Sequence, residues 1–135
     1  MKSRIIRSAF LAIALVFFIT NLSMAAAPTV ITSSPSAVTG TTATLNGLVS
    51  ANNEDTTVVF EYTDTEFSEE APPPLTATAD QSPVTGSGLN LVSADITGLA
   101  PGTAYLVRTV GTNASGTVYG SEILFFTSPP ATVTT

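Results

Sequence analysis

The sequence predicts an all-β protein: an antiparallel two-sheet sandwich of about seven strands, behind an N-terminal export segment. Three observations lead there. Short runs rich in Val, Ile, Thr and aromatic residues alternate with turn residues along the chain. Beyond the N-terminal segment, no stretch sustains the 3.6-residue period of an amphipathic helix. Charged residues make up only 10% of the 135 residues, while Gly and Pro contribute nine each. That composition suits strands and turns better than helices.

The N-terminal segment comes first. Lys2, Arg4 and Arg7 precede an unbroken apolar run from Ala9 to Ile19, followed by polar and then small residues. This order is that of a secretory signal peptide. The run is short of the roughly 20 apolar residues that a membrane-spanning helix needs. Ser23-Met24-Ala25 sets small residues at −3 and −1, so cleavage is expected after Ala25, and residues 1–25 are read as the signal. Pro28 argues against a cut after Ala27. Left uncleaved, the segment would be the protein's sole tie to a membrane. Cleavage leaves one basic residue, Arg108, against ten acids, a net charge of −9.

Residues 28–128 then carry the strands. Val30 to Thr32 is a short strand ended by a Ser33-Ser34-Pro35 turn. Thr41 to Val49 alternates loosely, and Ser50 to Asp55 is a loop. Thr56 to Tyr62 is the strongest strand, with Val58, Phe60 and Tyr62 on one face and Thr57, Val59 and Glu61 on the other. Thr63 to Pro74 is a long acidic loop whose three prolines cannot sit in a central strand. Leu75 to Ala79 reads as a weak edge strand, and Asp80 to Gly88 as turns. Leu89 to Thr97 alternates well. Gly98 to Gly102 turns the chain, and Tyr105 to Asn113 follows as a strand with Arg108 opposite Tyr105 and Val107. Asn113 to Gly116 is a hairpin turn. Thr117 to Thr127 is the last strand, bent near Gly120. Residues 129–135 form a polar tail.

Composition also excludes chemistry. There is no Cys and no His, so zinc, haem and iron–sulfur sites lose their usual ligands, and Ser–His or Cys–His nucleophile pairs cannot form. No disulfide can staple the fold, so packing must hold it. The acidic balance argues against nucleic acid, whose phosphates call for clustered Lys and Arg. Carboxylates are the remaining reactive groups. Glu54, Asp55, Asp64, Glu66, Glu69 and Glu70 lie in two loops, where solvated surface acids are the ordinary reading. No cofactor is expected. Asp64, Glu66, Glu69 and Glu70 offer oxygens of the kind Ca²⁺ takes, but without the spacing of an EF-hand. Asn113-Ala114-Ser115 is a glycosylation sequon that also suits the hairpin turn it occupies.

Leu99-Ala100-Pro101-Gly102-Thr103-Ala104-Tyr105 resembles the L-x-P-G-x-x-Y corner of fibronectin type III domains. Thr41 to Gly47, Phe60-Glu61-Tyr62, Ser93 to Leu99 and Thr112 to Gly116 resemble bacterial secreted members of that family. The resemblance implies an immunoglobulin-like sandwich whose structural corner is Leu99, Pro101, Gly102 and Tyr105. In that corner Leu99 plugs the core and the Tyr105 hydroxyl bonds back to the backbone. Two departures stand out. The core Trp of animal members is absent, with Leu45 nearest to it. Thr109 and Gly111 take core-facing positions that larger residues usually fill, so loose packing is expected there.

Neighbouring strands, as the resemblance implies, would set Val59, Leu106 and Val110 in one outward apolar stripe. Phe67, amid acids, is either a loop-tip anchor or a side chain folded back on the core. Val59, Leu106, Val110 and Phe67 are therefore the expected interaction surface. The function expected is that of a non-catalytic secreted or cell-envelope module binding a protein or cell-surface partner. The alternatives are a carbohydrate-binding accessory module or remnant of a larger hydrolase or adhesin, and a self-assembling surface subunit. The first requires aromatic rings on one outer face. The second requires an unprotected edge strand, most simply Val30 to Thr32.

Overall fold

The structure, a computed structural model, describes residues 25–134. The basic residues and apolar run expected to direct export lie outside the described residues. Within them the chain forms eight strands and no helix. The smaller sheet has the order β1 (Thr29–Ser36), β2 (Ala43–Ser50), β5 (Asn90–Ile96). The larger sheet runs β4 (Leu75–Thr78), β3 (Thr57–Thr63), β6 (Ala104–Asn113). Beyond β6 come β7 (Gly116–Tyr119) and β8 (Ile123–Phe126), one after the other along the same edge. Every pairing is antiparallel. The expected final strand is thus divided into two at Gly120, which brings the count to eight.

Alternation builds the core as the sequence pattern requires. Leu45 and Val49 of β2, Val58 and Phe60 of β3, Val92 of β5 and Val107 of β6 are fully buried between the sheets. The Tyr105 and Phe125 rings stack at 5.7 Å. Leu45 fills core space with no Trp present.

Two expectations need correction. Ser33-Ser34-Pro35 is not a turn: β1 continues through it with a register shift between Ser33 and Ser36. Asn46 of β2 stitches the irregularity, its Nδ2 donating to the Ser34 carbonyl at 3.1 Å and to Ser36 Oγ at 3.0 Å. Pro35 is tolerated because β1 is an edge strand, where a missing N–H breaks no ladder.

Nor is the region around Thr109 and Gly111 loosely packed. A Cβ on Gly111 would lie 2.8 Å from Val30 Cγ2 and 3.2 Å from Pro28 Cγ. One on Gly47 would lie 2.7 Å from Thr109 Oγ1. The small residues let β1 and the chain before it close onto β6. A polar seam crosses the sheets here. The break between β7 and β8 leaves the Thr109 N–H without a ladder partner, and Thr32 Oγ1 of β1 accepts it at 2.9 Å. Gly120 N–H donates to the Thr109 carbonyl at 2.8 Å.

The Thr109 hydroxyl itself is buried with no partner. An unpaired buried hydroxyl costs stability that an apolar group of the same shape recovers. Thr109→Val is therefore expected to raise stability by about 1 kcal/mol. A higher urea midpoint with unchanged slope would show it.

Candidate functional site

The outer face of the larger sheet gathers most of the residues expected to form an interaction surface. The register sets its residues in rows across the strands. Val59, Val110 and Tyr119 form one row, and Glu61 and Arg108 the next. Then follow Thr63, Leu106 and Leu124, and beyond them Ala104 and Phe126. These side chains point outward because their neighbours Phe60, Tyr62, Tyr105, Val107 and Phe125 point into the core.

Arg108 organises the middle of this face. It is the one basic residue among those described. It sits directly opposite Glu61, and its Nε donates to Glu61 Oε2 at 2.7 Å. Nη2 lies at the same distance from that oxygen, and Nη1 is 4.0 Å from Glu122. The acidic β3–β4 loop folds back so that the Phe67 ring covers the guanidinium at 4.2 Å. The Tyr119 ring lies 4.5 Å from it. A planar cation against aromatic rings suits Arg, and each contact is worth about 0.5–1 kcal/mol at a partly exposed site.

The expected surface residues thus lie on one sheet face but not as one stripe. Val59 and Leu106 are half-buried, and the Glu61–Arg108 row separates them. Val110, flanked by Val59 and Tyr119, is only 5% exposed. Phe67 is half-buried on the outer face, over Arg108, rather than at a loop tip or in the core. Sequence reasoning passed over Tyr119, Leu124 and Phe126, which are 54%, 55% and 66% exposed. The signal was there: with Phe125 facing inward, strict alternation turns Leu124 and Phe126 outward.

The corner residues have definite geometry. Leu99 is buried, Gly102 takes φ +60°, and the Ala100 N–H donates to the Tyr105 hydroxyl at 2.9 Å. Pro101 is exposed at the turn. Asn113 serves its hairpin. Its Oδ1 accepts from the Ser115 N–H at 3.0 Å, and its Nδ2 donates to the Ala26 carbonyl at 2.9 Å. Asp64, Glu66, Glu69 and Glu70 are exposed in the β3–β4 loop. Among the described residues no three acidic, His or Cys side chains converge to hold a metal ion. Glu54 accepts from Ser115 Oγ at 2.6 Å.

Burial, and then the neighbouring Tyr105, push the Tyr62 phenol above its ordinary value of 10.0. The folded state therefore favours the neutral phenol. This contribution is fully present below pH 10.0 and is lost as pH rises through the higher folded value, because unfolding releases the proton. Tyr62→Phe is expected to reduce the loss of stability between about pH 9 and about pH 11, as read from urea midpoints at the two values.

No protein-family model matches the chain, nor does any curated protein. Solved structures do. The chain is similar to the sensor domain of the anti-sigma factor RsgI4 of Pseudobacteroides cellulosolvens. In its longer form the TM-score is 0.54 at 19% identity, covering 80% of this chain and 96% of that one. In its shorter form the TM-score is 0.53 at 17% identity, covering 77% and 97%. It is also similar to part of Astrotactin-2, described as a vertebrate-specific, perforin-like membrane protein. There the TM-score is 0.53 at 12% identity, covering 79% of this chain and 22% of that one. What is shared is the fold, an all-β two-sheet sandwich. Among the described residues no helix is long and apolar enough to cross a membrane.

Proposed function

We infer that the protein is an exported sandwich of the fibronectin type III kind, which acts by binding a partner protein in the envelope or outside the cell and catalyses no reaction. The observation that carries this is the apolar group on the outer face of the larger sheet. Leu124 and Phe126 stand out from edge strand β8 beside half-buried Leu106. Single exposed aliphatics are ordinary, but adjoining ones on neighbouring strands form a surface suited to docking. The corner bond from Ala100 to Tyr105 supports the fibronectin type III assignment. The signal-like first 25 residues support export. The likeness to domains described as sensors supports a recognition role. Residues 26–135 carry one basic residue against ten acids, and that charge of −9 favours a partner with a basic surface.

The test is recovery of a complex from the exported fraction after mild cross-linking. Leu124→Glu with Phe126→Glu is expected to abolish the complex, while Leu91→Glu on the smaller sheet leaves it intact. Equal recovery of all three proteins contradicts the assignment.

One observation favours a second reading. Phe67, Tyr119 and Phe126 place three rings on one face, as a carbohydrate-binding module requires. Arg108 already occupies a face of two of them. Retardation in polysaccharide gels, lost in Tyr119→Ala and Phe126→Ala, would select this reading over protein docking.

A further inference from the structure

The β3–β4 loop, folded back over Arg108, leaves an open groove of about 380 Å³ beside β6 and β7. Phe67, Pro72, Pro74 and Tyr119 form its apolar walls, and Arg108 lies at its base. Glu66 and Glu69 add carboxylates to its lining. We propose that this groove receives an extended basic segment of the partner protein, whose Arg or Lys side chains lie against Glu66, Glu69 and the exposed ring of Tyr119. The proposal rests on the docking role inferred above and names the chemistry of what docks.

Charge selects this occupant. Arg108 is the one cation in the groove, and Glu61 at 2.7 Å has taken up its charge. Glu122 stands 4.0 Å away as a second counter-charge. Glu66 and Glu69 therefore present negative charge that no other cation among the described residues offsets. An anionic ligand would meet repulsion, and so would a second copy of this chain, which carries the same excess of acids. The walls add a second criterion. Phe67 and Tyr119 each already contact a guanidinium, at 4.2 and 4.5 Å, and Tyr119 remains more than half exposed. Rings in this setting favour further cations over neutral polar chains.

The probe is a fluorescein-labelled Arg-Ser repeat decapeptide, with a Glu-Ser decapeptide as its counterpart, read by anisotropy against the purified protein. The Arg-Ser peptide is expected to bind, more weakly as salt rises, and the Glu-Ser peptide not to bind. Glu66→Gln with Glu69→Gln, and separately Tyr119→Ala, should each weaken binding by about tenfold or more. Glu54→Gln with Asp55→Asn, at the other end of β3, should change it by less than about twofold. All are surface changes, and unchanged far-ultraviolet spectra confirm folding. Failure of the Arg-Ser peptide to bind overturns the proposal. So does equal weakening by the Glu54/Asp55 pair, which would mean diffuse charge and no site. If the peptide fails while the Leu124 and Phe126 changes still abolish the complex, the groove assignment falls and the docking face stands. If those changes also have no effect, both fall.

Discussion

Replacing Gly120 with alanine is expected to destabilise the protein by about 2–5 kcal/mol. Gly120 sits at the break between β7 and β8, where β1 passes close. A Cβ there would overlap Thr32 Oγ1 and lie 3.0 Å from the Thr32 backbone nitrogen. The backbone cannot swing aside, so the hydroxyl must. Moving it removes the acceptor of the buried Thr109 N–H. The methyl group thus brings both an overpacking cost and an unpaired buried donor. Thr32→Ala alone loses only the second. In the double variant the overlap with the hydroxyl is gone, and the donor can be orphaned only once. The two changes together should therefore cost less than their sum, by about 1–2 kcal/mol. Urea unfolding of the four proteins measures that coupling; strict additivity would mean that the seam does not join the sheets as described.

Tyr105→Ala is expected to cost about 3–5 kcal/mol, and Tyr105→Phe about 1 kcal/mol. The two changes separate two jobs of one side chain. The ring is buried, stacked on Phe125, and begins β6 beneath the turn that Leu99 anchors. Removing it opens a cavity where the two sheets meet. The hydroxyl accepts the Ala100 N–H and so pins the turn to the strand it feeds. Phe keeps the stack and loses the pin. Ala100 itself is exposed, so water partly replaces the lost acceptor, which keeps the cost of the Phe change low. A Phe variant as damaged as the Ala variant would contradict this division.

Much of the fold was legible because β-sheet burial follows a period of two. Val58, Phe60 and Tyr62 could be assigned inward from their spacing alone, and Gly120 marked the bend in the last strand. The corner from Leu99 to Tyr105 was legible as a local motif. What escaped depends on contacts far apart in sequence. Thr32 and Thr109 are 77 residues apart, and no local pattern pairs them. Pro35 read as a turn because edge position, which makes a strand proline harmless, belongs to the sheet rather than the segment. Thr109 and Gly111 read as weak packing because close approach of strands is a property of two sheets at once. For the candidate site, Val59, Leu106 and Arg108 could be set on the outer face by alternation. The burial of Val110 and the placement of Phe67 over Arg108 could not, since both follow from how the β3–β4 loop and β7 lie on β6. Leu124 and Phe126 were within reach of the same alternation, starting from Phe125.

The claim that the outer face of the larger sheet is the working surface is tested most directly by site-specific photo-cross-linking in the producing cell. A photoreactive phenylalanine analogue is placed in turn at positions 124 and 126 on that face, and at 31 and 91 on the outer face of the smaller sheet. The account predicts one discrete protein adduct from 124 and 126 and none from 31 and 91. Adducts from 31 and 91 alone, or from none of the four positions, would contradict it.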